Sequence, residues 1–146
     1  MTTIREAADT DVPNLLRAYA ESGIASGDAY TVEEAREQLA VIRRYPSYRI
    51  FIAEVDGAFA GTYALILLDN LNKRGARAAI VEDVAVLPEF QGRGLGREMM
   101  EHAREQSRLA GCYKMALSSN LKREGAHAFY DSLGFERHGY SFVIRP

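Results

Sequence analysis

The chain has 146 residues, 47% hydrophobic and 26% charged, with a formal net charge of −2. That size suits one domain spanning residues 1–146 around one core, and the balance is that of a globular chain facing water. The weak negative charge gives no electrostatic footprint for nucleic acid, no segment approaches the roughly 20 apolar residues of a membrane span, and the single cysteine, Cys112, excludes an internal disulfide or a cysteine-rich zinc site. Residues 1–6 lack the basic start and apolar stretch of a secretory signal, so the expected location is the cytoplasm.

Residues 3–7 read as a first strand, after which Asp9, Thr10, Asp11 and Pro13 supply cap residues and an early proline for a helix. Val12, Leu15, Leu16, Tyr19 and Ala20 fall on one face of it. Two glycines within residues 23–30 break the pattern, and Thr31 with Glu34 restarts it at capping-box spacing. The second helix is expected to end before Pro46. Residues 48–55 and 58–68 are strand-like runs joined by Asp56-Gly57, a pair that tolerates the positive φ angles of a two-residue hairpin.

After a polar loop over 69–77, residues 78–86 form a fourth strand, altered in character by Glu82-Asp83. Leu95, Met99, Ala103 and Ala110 then recur at helical spacing, with Gly111 as the stop. Residues 113–118 make a fifth strand, 122–133 a last helix, and Gly134 sits where a left-handed cap is wanted. Residues 135–144 alternate like strand, either as one strand or as two joined by a very tight turn at His138-Gly139. The expected architecture is α/β: a mixed sheet of six or seven strands, antiparallel in its first half, with four helices. The fourth strand, third helix and fifth strand form a right-handed parallel crossover.

The run Val84-Ala85-Val86 leads into Gln91-Gly92-Arg93-Gly94-Leu95-Gly96-Arg97 at the start of the third helix. A strand, a glycine-rich turn and a helix in that order form an anion site, because first-turn N–H groups lack intrahelical partners and the helix dipole adds about half a positive charge. A Walker loop would need Gly-Lys-Ser/Thr, whereas Gly96 is followed by Arg97-Glu98. A dinucleotide fingerprint would need G-x-G-x-x-G and an acidic residue ending the next strand; here the glycines fall as G-x-G-x-G and that strand ends Leu117-Ser118-Ser119.

The segment from Glu82 to Gly96, with Asn120 and the helix-plus-turn Ala128-Phe129-Tyr130-Asp131-Ser132-Leu133-Gly134-Phe135, resembles the GNAT superfamily of acyl-CoA-dependent N-acetyltransferases. Gln91, Gly94 and Gly96 match that family's Q/R-x-x-G-x-G/A pattern, and the predicted element order agrees over nearly the whole chain. The resemblance implies a GNAT fold whose fourth and fifth strands splay around acetyl-CoA, with the diphosphate held by backbone N–H groups of Gln91, Gly92, Arg93, Gly94, Leu95 and Gly96. Arg93 and Arg97 either add charge-assisted contacts or are solvated. By the same resemblance Val84, Ala85 and Val86 offer a free backbone edge to the pantetheine chain and an N–H to the thioester carbonyl.

Tyr130 matches the tyrosine that the family often places beside the thioester sulfur, where a phenol can donate a proton to the departing thiolate; a core tyrosine is the competing reading. Asn120 matches a cofactor-bonding position, with a helix-entry cap as its alternative. Glu82 is the candidate base, directly or through water. Strict alternation sets Glu82 and Asp83 on opposite faces, and a bulge would shift that parity. His102 is expected on exposed helix, His127 shares the Tyr130 helix, and Cys112 reads as a packing residue. No spacing suggests a metal site.

The resemblance places acceptor choice in residues 23–30 and 137–144, which carry Asp28, Tyr30, Arg137, His138 and Tyr140; these suit a small polar amine and select none. The expected reaction is direct acetyl transfer from acetyl-CoA to a small primary amine in a ternary complex. Acetylation of a protein N-terminus or lysine, and a non-catalytic acyl-CoA-binding module, are the alternatives. No nucleic acid or membrane partner is expected. The short last segment leaves room for a partner subunit, and so for a homodimer, to complete the acceptor side.

Overall fold

The computed structural model describes residues 1–25 and 30–146. It comprises two compact units, Met1–Ala116 and Leu117–Pro146.

In the first unit, β1 (Thr2–Glu6), α1 (Val12–Glu21), α2 (Val32–Arg43), β2 (Tyr48–Val55), β3 (Ala58–Leu68), β4 (Arg77–Val86), α3 (Leu95–Leu109) and β5 (Cys112–Ala116) follow one another. The sheet order is β1-β2-β3-β4-β5. The first three pairings are antiparallel and β4–β5 is parallel, as the crossover requires. The predicted hairpin is present at its expected bounds, and Thr31 and Glu34 close the expected capping box, with Glu34 N donating to Thr31 Oγ1 at 3.1 Å and Thr31 N to Glu34 Oε2 at 3.0 Å. The sheet has five strands among the described residues, where six or seven were expected.

Alternation sorts the strand residues onto two faces. Ile50, Ile52 and Ala64 pack with Val12, Leu15, Ala35 and Leu39 of α1 and α2. The opposite face turns Phe51 and Tyr63 toward α3, where their rings stack 5.2 Å apart and the Tyr63 hydroxyl meets His102 Nδ1 at 2.6 Å. His102 is thus half-buried rather than on the exposed helix face that was expected. Burial, helped by the Arg49 charge, lowers its pKa and favours the neutral ring.

One glycine sets how closely α3 approaches. A Cβ at Gly61 would lie 2.9 Å from the Ala85 carbonyl oxygen and 3.0 Å from Met99 Sδ. Its absence lets the first turns of α3, through buried Leu95 and Met99, sit against the β3–β4 ladder.

The second unit contains α4 (Glu124–Ser132). Its end is a complete Schellman motif: Gly134 is left-handed at φ 87°, its N–H donates to the Asp131 carbonyl at 3.1 Å, and the Phe135 N–H donates to the Tyr130 carbonyl at 3.1 Å. The accompanying apolar contact is Phe135 against Tyr130, edge to face at 5.5 Å between centroids. The Leu133-Gly134-Phe135 sequence is therefore a clamp on the Tyr130 ring. Residues 135–144, expected to alternate as strand, carry no strand. Their pattern supplies the propensity to pair, but within this unit there is no strand for them to pair with.

Candidate active site on the fourth strand

β4 pairs with β3 from Ala78 to Val86, but with β5 only from Arg77 to Ile80. Past Ile80 the two parallel strands part, so the Val84-Ala85-Val86 backbone has no β5 ladder on that side. A further turn, Pro88–Phe90, then carries the chain into the glycine loop. Gly92 and Gly94 stand at φ 74° and 83°, a region open to glycine at little cost, and Gly94 is the N-cap of α3 with no side chain capping the first turn. Added Cβ atoms there would meet nothing of the protein within 4 Å, so the space over the loop is open. Gln91 folds back to donate from Nε2 to the Val86 carbonyl at 3.1 Å, and the Arg93 guanidinium lies 5.4 Å over the Phe90 ring. Leu95 is buried, Gly96 half-buried and Arg97 exposed. From the other side Arg17 of α1 reaches Glu89 at 2.6 Å while also bonding Glu21 at 2.7 Å. An uncapped helix start beside an open strand edge offers N–H donors to a phosphate-bearing chain and then to its extended amide arm. Acetyl-CoA has both parts, so this donor set fits it.

Behind the loop, strict alternation fails at one residue. Glu82 stands opposite Ala64, and Ala85 opposite Thr62, so three steps along β4 match two along β3. The extra residue is a bulge, with Asp83 left-handed at φ 52°. Glu82 therefore shares the α1/α2 face with Ala64, and Asp83 does not simply take the opposite one: after burial, the largest cause, both carboxylates add to the raised pKa of Tyr48, and Asp83 to that of Tyr19. The expected division of the two onto opposite faces is corrected by this bulge.

Both carboxyls reach solvent, yet the surrounding protein raises each above its ordinary value. For Glu82 the cause is burial first and the Asp83 charge second; for Asp83 it is burial. The two phenols are raised as well, Tyr19 by burial and then Asp83, with the Thr62 hydroxyl opposing. Glu82, Asp83, Tyr19 and Tyr48 make a polar group on an otherwise apolar face, and a carboxylate with raised pKa there is suited to taking a proton.

Nothing in the periodicity pointed to Tyr19, read as one residue of an apolar helix face, or to Tyr48, read only as the start of a strand. The Glu82-Asp83 pair was visible, although the left-handed turn at a non-glycine residue was not.

In the second unit, Tyr130 is half-buried, with its ring between Phe129 and Phe135, and burial raises its pKa while Arg123 opposes. It stays protonated at neutral pH. Asn120 is exposed and its Oδ1 accepts from Lys122 N at 2.9 Å, an Asx turn ahead of α4, whose N-cap is Arg123 with no side-chain cap bond. The Asn120 carbonyl accepts from His127 Nε2 at 2.7 Å, which ties that histidine to the same turn. Tyr30 is half exposed; Asp28 lies outside the described residues.

Comparison with known proteins supports one assignment. The curated glucosamine 6-phosphate N-acetyltransferase of Trypanosoma brucei brucei is 33% identical over 90 residues, 62% of this chain and 59% of its own length. The aminoalkylphosphonate N-acetyltransferase of Salmonella typhimurium is 34% identical over 63 residues, 43% of this chain and 41% of its own. The chain thus spans about half the length of these curated relatives. A solved structure assigned as an acetyltransferase from Agrobacterium tumefaciens str. C58 superposes with a TM-score of 0.90 at 33% identity, covering 99% of both chains. The model of the acetyltransferase (GNAT) family matches residues 13–135, across the splayed strands, the glycine loop and α4. The chain belongs to the acetyltransferase (GNAT) family.

Proposed function

We propose that this protein transfers the acetyl group of acetyl-CoA to the primary amine of a small molecule, by direct attack in a ternary complex, as one domain formed by both units. The observation that carries this reading is the parting of β4 from β5 beside the uncapped, left-handed glycine loop. Backbone N–H groups from Gln91 to Gly96 hold the diphosphate, with Arg93 and Arg97 adding charge, and Asn120 bonds the cofactor. The Val84-Ala85-Val86 edge holds the pantetheine arm and polarises the thioester carbonyl. No metal takes part.

The chemistry balances on two residues. The amine arrives as an ammonium whose solution pKa lies near 10; Glu82, directly or through one water, takes a proton from it. The freed nitrogen attacks the carbonyl carbon, the carbon–sulfur bond breaks, and the leaving thiolate takes a proton from the Tyr130 hydroxyl. The nitrogen loses its second proton through solvent to the Tyr130 phenolate, Glu82 releases the first to solvent, and the acetamide and free CoA leave. The raised pKa of Glu82 brings its basicity closer to that of its task.

The named activities of the two relatives above, on glucosamine 6-phosphate and on aminoalkylphosphonates, support the choice of a small amine. The reaction is placed in the cytoplasm. No described helix is long and apolar enough to cross a membrane.

The test is thiol release from acetyl-CoA across a panel of amino sugars, aminophosphonates, polyamines, amino acids and peptides. Turnover on at least one free amine is expected, and Tyr130→Phe lowers it by about 10²-fold or more with CoA affinity kept. Activity on peptides alone, or tight CoA binding with no turnover at all, overturns the reading.

A further inference from the structure

The bulge at Asp83 gives the proposed acceptor position two carboxyls instead of one. Glu82 shares the α1/α2 face with Ala64, and Asp83, left-handed at φ 52°, turns far enough that its charge acts on Tyr19 and Tyr48 of that face. Both rings pack against the apolar cluster that holds Val12, Leu15 and Leu39. Two carboxyls therefore stand at the rim of an apolar wall that carries two phenols.

This part of the first unit supplies no positive charge to answer them. Among the described residues neither carboxyl has an ion pair or a side-chain hydrogen bond; burial raises both, and the one charge acting on Glu82 is that of Asp83. Arginines of the neighbouring elements are engaged elsewhere: Arg5 by Asp11 and Glu54, Arg17 by Glu21 and Glu89, and Arg43 by Asp9. Arg49 lies over the Phe51 ring, on the opposite face of the sheet. Residues 22–35, which follow Tyr19 in the chain, include Asp28, Glu33 and Glu34 but no lysine, arginine or histidine.

A monoamine brings one positive charge to two negative ones. When its proton passes to Glu82, Asp83 still stands uncompensated in a partly desolvated place. A diamine brings two charges. When its reacting ammonium gives a proton to Glu82, its second ammonium still faces Asp83, and the site stays neutral from binding through attack. We propose that the acceptor is a short diamine or polyamine, its reacting nitrogen at Glu82, its second ammonium at Asp83 and its methylene spacer along Tyr19 and Tyr48. The rings add the attraction of an aromatic face for a cation. An acceptor carrying a phosphate or a carboxylate sets like charge against Asp83 and is disfavoured. This inference rests on the acetyl-transfer reading of the site and narrows it.

Thiol release from acetyl-CoA on matched acceptors tests it. Putrescine and butylamine differ by one ammonium, glucosamine and glucosamine 6-phosphate by one phosphate. At neutral pH kcat/KM should be about 100-fold higher for putrescine than for butylamine, carried mainly by KM, and lower for glucosamine 6-phosphate than for glucosamine. Asp83→Asn, which keeps a side chain tolerant of the left-handed region, should cut the putrescine-to-butylamine ratio about tenfold or more by raising KM for putrescine. Butylamine lacks the second charge, so it is the substrate on which pH profiles report proton transfer alone. Should the variant fail to fold, the salt dependence of the unmodified protein decides: KM for putrescine should climb with ionic strength more steeply than KM for butylamine. Equal kcat/KM for putrescine and butylamine, a preference for the phosphorylated sugar, a ratio indifferent to Asp83→Asn, or equal salt dependence each overturns the diamine while leaving acetyl transfer to a free amine in place. Failure on every free amine overturns the reading beneath it as well.

Discussion

The two edges of β4 differ more than any other two lines through the sheet. Toward β3 the ladder runs from Ala78 to Val86 and the packing is tight enough that Gly61 has no room for a methyl group. Toward β5 the ladder stops at Ile80, and beyond it lie the bulge, the open backbone of Val84 to Val86 and the glycine loop. One strand thus carries stability on one side and, in our reading, chemistry on the other. The tight edge fixes the strand so that the open edge can present unpaired N–H groups without collapsing.

If that division holds, substitutions on the open side should damage function while leaving stability nearly intact. The largest effect is expected for Glu82→Gln, which keeps the side-chain shape and removes the base. kcat/KM should fall by about 10²–10⁴-fold. The protein should not be weakened, because burial raises the Glu82 pKa. For a carboxyl raised in the folded state, the fold binds the proton more tightly than the unfolded chain. Ionisation therefore costs stability above the folded pKa, and that cost vanishes below the unfolded one. A charge-free glutamine escapes it, so thermal unfolding at neutral pH should stay level or rise. Full activity in this variant would remove Glu82 as the base.

Gly94→Val comes next. A valine at φ 83° costs about 1–2 kcal/mol of strain, yet its side chain meets no protein atom within 4 Å of the Cβ, so the chain should still fold. A bound diphosphate would occupy that space. CoA affinity, measured by calorimetry, should drop by about 100-fold or more, and retained affinity would break the loop assignment.

Gly61→Ala probes the tight edge and should behave in the opposite way. Its Cβ would lie 2.9 Å from a backbone oxygen, which cannot swing aside as a flexible side chain can. A loss of about 1–3 kcal/mol is expected, seen as a lower Tm, with kcat per folded molecule little changed. A selective loss of kcat with Tm preserved would dissolve the contrast between the edges.

These pairs also show what a sequence can disclose. The hairpin at Asp56-Gly57, the capping box at Thr31 and Glu34, and the cap at Gly134 were legible because each depends on residues close in the chain. The glycine loop was legible for the same reason. Three features depended on partners far away. The bulge is a matter of how β3 and β4 pair, Ala64 with Glu82 and then Thr62 with Ala85, and no local rule places its extra residue at Asp83. His102 was read from its helix alone, while Tyr63, 39 positions earlier, decides its burial. The alternation over residues 135–144 gave propensity without a partner, and in a single chain no strand forms there.

The smallest expected effect tests the bulge. Asp83 raises the pKa of Glu82 through its charge, second to burial. Asp83→Asn removes that charge and keeps a side chain that accepts the left-handed region at least as well as aspartate. With its neighbour neutral, Glu82 ionises at lower pH. The acidic limb of the kcat/KM profile should therefore move downward, because activity on that limb follows the unprotonated base. The plateau rate should hold or fall slightly, since a less basic carboxylate is a weaker proton acceptor. Stability at neutral pH should not fall, because burial raises the Asp83 pKa as well and asparagine carries no charge to bury. An unmoved limb with an unmoved plateau would mean that the acidic limb belongs to another group. A collapse of activity would make Asp83 itself the base. The open edge would then work through the residue that breaks its alternation, not through the one that keeps it.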